Sequence, residues 1–241
     1  MRPELPQWAR QDAYRVRFEW GPLLASTLTT GTCVVVDVLR FTTTVETGVS
    51  RGVLVYPYRW RDPTAETFAA SVHAVLAGGA DPAGPSLSPA TIAALAPGSA
   101  LVLPSPNGST CAILAAEAGA RVAAGCLRNA AAVGAWADQL PGPVTVIGCG
   151  ERWPDGSLRP SLEDLLGAGA ILAAMTGELS PEARAAVAAF RAAEHGLPAV
   201  LSECASGREL TEKGWGADVG HAARLNVSET VPVLVSGRFG S

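Results

Sequence analysis

Residues 34–44 read Val-Val-Val-Asp-Val-Leu-Arg-Phe-Thr-Thr-Thr. The run begins as a buried, β-branched strand. It ends in a carboxylate (Asp37), a guanidinium (Arg40) and three hydroxyls (Thr42, Thr43, Thr44) before a helix can start. Residues 100–110, Ala-Leu-Val-Leu-Pro-Ser-Pro-Asn-Gly-Ser-Thr, repeat the device with Asn107, Gly108 and Ser109. Small polar groups at the carboxyl end of an apolar strand stand where open α/β sheets bind ligands. Helix-start amides beside them favour an anion, and a phosphate suits the arrangement best.

Each candidate has a plainer rival. Asp37 lies among apolar neighbours, where an unpaired carboxylate would cost on the order of several kcal/mol. It must therefore be bound: as the cap of the next helix, as the partner of Arg40, as a ligand to a hard cation, or as a group acting on substrate. Arg40 offers a fork of donors that matches phosphate or carboxylate. Thr42 and Thr43 present hydroxyls and amides at a helix start, although Thr-rich helix starts are common. Gly108 lets backbone approach a ligand closely, or it completes an ordinary Asn-Gly turn. Arg128 and Asn129 hold the equivalent place after a third strand, either as a second guanidinium for a dianion or as a simple helix cap by Asn129. Glu163 and Asp164 fall in the first turn of a helix, where acids suit the dipole; the alternative is a metal-ligand pair.

Other chemistries are disfavoured. The three histidines (73, 195, 221) form no HxH or HExxH spacing, which argues against zinc. No GxSxG elbow and no P-loop occur, and residues 148–156, Gly-Cys-Gly-Glu-Arg-Trp-Pro-Asp-Gly, lack the dinucleotide fingerprint. Carboxylates with oxygen-rich loops favour Mg²⁺, with Asp37 and Glu163 as the candidate ligands.

These groups need a scaffold, and the alternation of strand and helix supplies it. Residues 14–20 alternate aromatic or apolar with charged side chains, which predicts a half-buried strand near a sheet edge. Apolar strands follow at 33–39, 53–58, 100–103, 121–124 and 144–147. Helices are expected at 44–50, 63–77 (with Asp62 as cap), 109–118, 129–140 and 161–175. The stretches 78–89 and 148–160 read as loops. The small-residue run Gly167-Ala168-Gly169-Ala170 predicts a helix packed closely against the sheet. The last third is helical, at 181–195, 204–213 and 218–225, with a closing strand at 231–235. The pattern predicts a three-layer α/β/α fold on a mostly parallel or mixed sheet, with residues 1–241 as one domain.

Composition narrows the class. Hydrophobic residues make up 48%, enough for a sizeable core. A net charge of −4 argues against nucleic acid as a partner, and no apolar run is long enough to cross a bilayer. Residues 1–7 show no apolar leader. The five cysteines (33, 111, 126, 149, 204) form no CxxC pair and read as reduced core thiols of a cytoplasmic protein.

Taken together, the 34–44 strand-loop, the 105–110 Ser-Pro-Asn-Gly-Ser-Thr turn, residues 125–130 (Gly-Cys-Leu-Arg-Asn-Ala) and residues 161–164 (Ser-Leu-Glu-Asp) resemble the 2-phosphosulfolactate phosphatase (ComB-type) family. The tail, through Asp218-Val219 and residues 231–234, is similar to the family's ending. The resemblance implies a Mg²⁺-dependent phosphatase that hydrolyses the monoester of a small phosphorylated 2-hydroxy acid, releasing sulfolactate and phosphate. It implies metal or acid–base roles for Asp37, Glu163 and Asp164. Arg40, Asn107, Ser109, Arg128 and Asn129 would hold substrate oxygens, and a homodimer is the family-level expectation. One segment departs from the family: the acid and Asn expected before the Asn-Gly turn are absent from residues 84–89, Gly-Pro-Ser-Leu-Ser-Pro, where only Ser-Pro is kept. That departure keeps open a non-catalytic phospho-metabolite or anion-binding protein on the same scaffold. Metal-dependent phosphate release separates the two. Asp37→Asn is expected to abolish turnover with the fold intact, as phosphate-release assays beside circular dichroism would record.

Overall fold

The structure, a computed structural model, describes residues 5–28, 30–81 and 84–241. Residues 1–4, within the 1–7 segment read above, and residues 82 and 83 of the loop expected at 78–89 lie outside the described residues. The chain runs through β1 (Val16–Trp20), a short α1 (Gly21–Ala25), β2 (Thr32–Val36), α2 (Phe41–Val49) and β3 (Leu54–Tyr58). Then come α3 (Thr64–Ser71), β4 (Val75–Leu76), α4 (Pro89–Ile92), β5 (Ala100–Pro104), α5 (Gly108–Ala118) and β6 (Arg121–Gly125). Next are α6 (Ala130–Asp138), β7 (Val144–Gly148), the hairpin β8 (Glu151–Arg152) and β9 (Leu158–Arg159), and α7 (Leu162–Leu172). Helices α8 (Pro181–Ala193), α9 (Leu197–Glu203), α10 (Ala205–Glu212) and α11 (Gly216–Ala222) fill the last third, closed by β10 (Val233–Val235) and β11 (Arg238–Gly240).

Nine strands form one mixed sheet in the order β1-β7-β2-β6-β10-β11-β3-β5-β4. Strands β1, β7, β2 and β6 are mutually parallel, as are β3, β5 and β4. The antiparallel β10–β11 hairpin is inserted between these two blocks and joins them. β1 is the predicted edge strand, with Val16 and Phe18 buried while Arg17 and Glu19 keep partial solvent contact. β2 and β7 are buried throughout, so their side chains serve two cores. Val34 and Val36 join Leu166, Ile171 and Phe190 on one face, while Cys33 and Val35 join Phe41, Ile92 and Leu103 on the other. A sheet covered on both faces is the expected three-layer arrangement.

Several boundaries move, each for a local reason. The strand expected to reach residue 39 stops at Val36. Thr42 folds back there: its hydroxyl donates to Asp37 O (2.8 Å) and accepts from Asp37 N (3.0 Å), so the helix begins at Phe41 and not at residue 44. The helix expected to reach residue 77 stops at Ser71. His73 adopts a left-handed φ of 51°, and the chain leaves as β4 beside β5. The 148–160 loop contains the β8–β9 hairpin. The last strand gains an unforeseen partner, β11, through a two-residue turn in which Ser236 and Gly237 both have positive φ (50° and 81°), the geometry of a tight hairpin. The small-residue run of α7 packs as expected. A Cβ on Gly167 would lie 2.6 Å from Val38, and one on Gly169 would lie 2.2 Å from the Ala186 carbonyl of α8. All five cysteines are free and buried. No helix among the described residues is long and apolar enough to cross a membrane.

The edge of the sheet is tied to its helical layer through Asp138. Its carboxylate accepts from Arg15 (2.7 Å), from the Thr176 amide (3.1 Å) and from the Thr176 hydroxyl. The Thr176 hydroxyl, then Arg15, hold its pKa at about 2, below the ordinary 3.8. A carboxyl with a depressed folded pKa stabilises fully above its unfolded value and loses that effect as pH falls through its folded value. Asp138→Asn is therefore expected to destabilise by about 1 kcal/mol at pH 7. In urea melts, the gap from the unmodified chain should shrink between about pH 4 and pH 2.

Candidate functional site

The turn after β2 is organised by one side chain. Asp37 is 7% exposed, and its Oδ1 accepts from the Phe41 amide (3.1 Å) at the start of α2. Its Oδ2 accepts from the Gly108 amide (3.0 Å) at the start of α5. One carboxylate thus closes two helix amino termini, where backbone dipoles favour negative charge. The close approach requires glycine: a Cβ on Gly108 would lie 2.2 Å from Phe41 Cδ1 and 2.7 Å from Asp37 Oδ2. Asp37 is consequently a structural cap as well as a candidate for chemistry, and its replacement also weakens two helix starts.

Three more acids gather beside it. Asp164 Oδ1 accepts from the Val38 amide (2.8 Å), and its Oδ2 accepts from the Gly150 amide (2.8 Å) and the Ser161 hydroxyl (3.0 Å). Its oxygens are engaged in holding the loops after β2 and β7 onto α7. Glu163, 2% exposed, accepts among the described residues only the weak Cys204 thiol at 3.4 Å. Glu151, at the start of the β8–β9 hairpin, accepts from Asn107 Nδ2 at 2.9 Å. Burial foremost, and then the Glu151 charge, push Asp37 up to about 7 against the opposing pull of the Phe41 and Gly108 amides. Burial also raises Glu151, opposed by the Asn107 hydrogen bond and by the more distant Arg159 charge. Asp164 stands well above the ordinary carboxylate range for the same reason, with the Asp37 charge second. The carboxylates repel one another, and no arginine or lysine pairs directly with Asp37 or Asp164 among the described residues.

The sequence candidates divide into two groups. Thr42 and Thr43 turn their hydroxyls inward to the Asp37 and Val38 carbonyls. Ser109 donates to the Leu103 carbonyl (3.0 Å), and Asn129 ties the Cys126 amide to the Thr230 carbonyl. All four are fully buried and hold the scaffold together. The two arginines, expected to await a shared dianion, each carry their own carboxylate. Arg128 Nε pairs with Glu46 at 2.6 Å, and Arg40 Nη1 pairs with Asp218 at 2.5 Å. A buried guanidinium is costly unless paired, and helices α2 and α11 supply the partners. Arg40, Asn107 and Glu151 retain solvent contact, so the accessible part of the site is built around them. Beside it lies a cavity of about 550 Å³ whose lining includes Arg40, Arg61, Ser86, Leu87 and Pro104. Glu151 and Asp218 are the functional candidates that sequence reasoning missed. A Gly-Cys-Gly exit from β7 marks Glu151, whereas nothing local marks Asp218.

The donor set suits a hard cation. Asp37, Glu151 and Glu163 offer only carboxylate oxygens, each with an acceptor site to spare. Among the described residues no three His, Cys, Asp or Glu side chains converge tightly enough to enclose an ion by themselves. Mg²⁺ does not require that, since it commonly takes one or two carboxylates and completes its shell with water and substrate phosphate.

A mixed sheet covered on both faces, with buried acids and a guanidinium at its strand ends, is the architecture of α/β enzymes that handle small anions. The family model described as 2-phosphosulpholactate phosphatase matches residues 23–237, nearly the whole chain, and the chain belongs to that family of phosphoric monoester hydrolases. A search of curated proteins found no match. Gly108→Ala is expected to destabilise by about 1–3 kcal/mol, because Phe41 or Asp37 must move, and to lower activity with it. Thermal melts and a phosphate-release assay on the same preparation would check both effects.

Proposed function

We propose that this chain is a Mg²⁺-dependent phosphatase acting on a small phosphorylated 2-hydroxy acid, with 2-phosphosulfolactate as the foremost substrate. Membership of the family supports the reaction class. The observation that carries the rest is the group of under-neutralised carboxylates, Asp37, Glu151 and Glu163, beside a guanidinium and an open cavity. Asp37 and Glu163, with Glu151 beside them, would hold the Mg²⁺, which would supply charge neutralisation for the phosphoryl oxygens.

The chain's own residues account for the remaining steps. In hydrolysis a water oxygen replaces the ester oxygen on phosphorus, and the departing hydroxy acid needs a proton on that oxygen. Glu151 is suited to hold that proton, since burial raises its pKa and Asn107 fixes its carboxyl. Arg40 holds an oxyanion of the substrate. Gly108 sets the distance between Asp37 and α5. Asp164, Arg128, Asn129, Thr42, Thr43 and Ser109 serve indirectly, by fixing the loops that carry these groups.

The test is inorganic phosphate release from 2-phosphosulfolactate, with Mg²⁺ and after its removal by chelation. Metal-dependent release is expected. Mg²⁺ should also raise the melting temperature more at pH 8 than at pH 6, because a proton on Asp37, pushed up to about 7, competes with the ion. No release from any phosphorylated 2-hydroxy acid, with no thermal shift by Mg²⁺, would overturn the reading in favour of an anion-binding protein.

A further inference from the structure

Asp218, in the first turn of α11, is 4% exposed and divides its carboxylate between two distant segments. Its Oδ2 pairs with Arg40 Nη1 at 2.5 Å, and its Oδ1 accepts from the Ser88 hydroxyl at 2.7 Å. Ser88 belongs to the 84–89 segment, and its amide donates to Ser86 Oγ at 3.1 Å. Trp215, just before α11, lies against the same guanidinium, 4.9 Å from its carbon to the ring centroid. Arg40 is thus gripped by an ion pair and an aromatic face, both from the start of α11.

That grip leaves most of the guanidinium free. Nη1 is the only one of its nitrogens with a hydrogen bond among the described residues, so the remaining donors are available to a ligand. Arg40 lines the cavity of about 550 Å³ together with Arg61, which makes no ion pair among the described residues, and with Ser86 and Leu87 of the 84–89 segment. Two acids, Asp62 and Glu66, share the rim; Asp62 is turned to the Thr64 amide (2.9 Å). A fork held in place before the ligand arrives loses little freedom on binding, which favours recognition of a planar or three-fold oxyanion.

We propose that Asp218 is a positioning residue, and that the Arg40 guanidinium it holds takes the acid tail of the substrate, a carboxylate or sulfonate, at the mouth of this cavity. The 84–89 segment, bound to the same carboxylate through Ser88, then sets which tail fits. The proposal rests on the phosphatase reading for the identity of the substrate and not for the binding site itself.

The experiment is calorimetric titration of sulfolactate, which carries both anionic groups but no phosphate, into the full chain and its variants, alongside steady-state kinetics. Asp218→Asn keeps an acceptor for Ser88 but loses the carboxylate charge that pairs with Arg40. It is expected to weaken sulfolactate binding about tenfold and to raise KM by a similar factor. Trp215→Leu, on the exposed side of the guanidinium, is expected to weaken binding about threefold, and it carries the test should Asp218→Asn fail to fold. Equal affinity in the unmodified chain and the folded variants overturns the proposal. So does a loss confined to kcat, or absence of sulfolactate binding to the unmodified chain. Failure of the phosphatase reading looks different: sulfolactate binds in an Asp218-dependent way, yet no phosphate is released from any ester.

Discussion

A single carboxylate bridging two helix starts governs how this molecule is assembled. Asp37 follows β2, in one parallel block of the sheet, while Gly108 follows β5, in the other. Their hydrogen bond brings the carboxyl ends of both blocks to one place. Burying a carboxylate is expensive, and two amides at the positive ends of two helices offset much of that cost. Asp164 does the same for the loops after β2 and β7, so the two acids together fasten α2, α5 and α7 around a common polar seam.

The seam is not electrostatically comfortable. The Asp37 charge raises the pKa of Asp164, while Glu151 and Glu163 raise that of Asp37, all within a poorly solvated region. A scaffold optimised only for stability would not gather these acids in one buried place. Such arrangements are characteristic of sites that bind a metal or hold a proton for chemistry. This tension links the packing of the fold to the phosphatase chemistry of the family.

The arginines obey the opposite rule. Arg128 and Arg40 are each neutralised by a carboxylate from another element, Glu46 of α2 and Asp218 of α11. Their charge is therefore balanced pair by pair. The difference between the two is exposure: Arg128 is sealed against α2, whereas Arg40 reaches a cavity with donors to spare. The helical last third thus reaches the candidate site, because Asp218 of α11 and Trp215 just before it both contact the Arg40 guanidinium.

How much of this was legible in the chain differs element by element. The apolar runs of β2 and β7, the alternation of β1 and the Gly-Ala stripe of α7 marked the layered α/β class, because strand period, burial and close helix packing are local properties of sequence. Asp37, Arg40, Asn107 and Glu163 stood out because a polar group at the end of an apolar strand or the start of a buried helix must find a partner there. The amino-acid order by itself also carried the resemblance to the phosphatase family. Tertiary structure decided what lies far apart in the chain. It inserted the β10–β11 hairpin between two parallel blocks, brought Gly108 to Asp37, turned Thr42, Thr43, Ser109 and Asn129 inward, and gave each arginine a separate carboxylate. It also added Asp218, which no local pattern marks, and gave a role to Glu151, whose only local mark is the Gly-Cys-Gly exit from β7. A hydrogen bond between residues 37 and 108, or an ion pair between 40 and 218, leaves no periodic trace, since its partners are set by the packing of whole elements and not by the residues beside them.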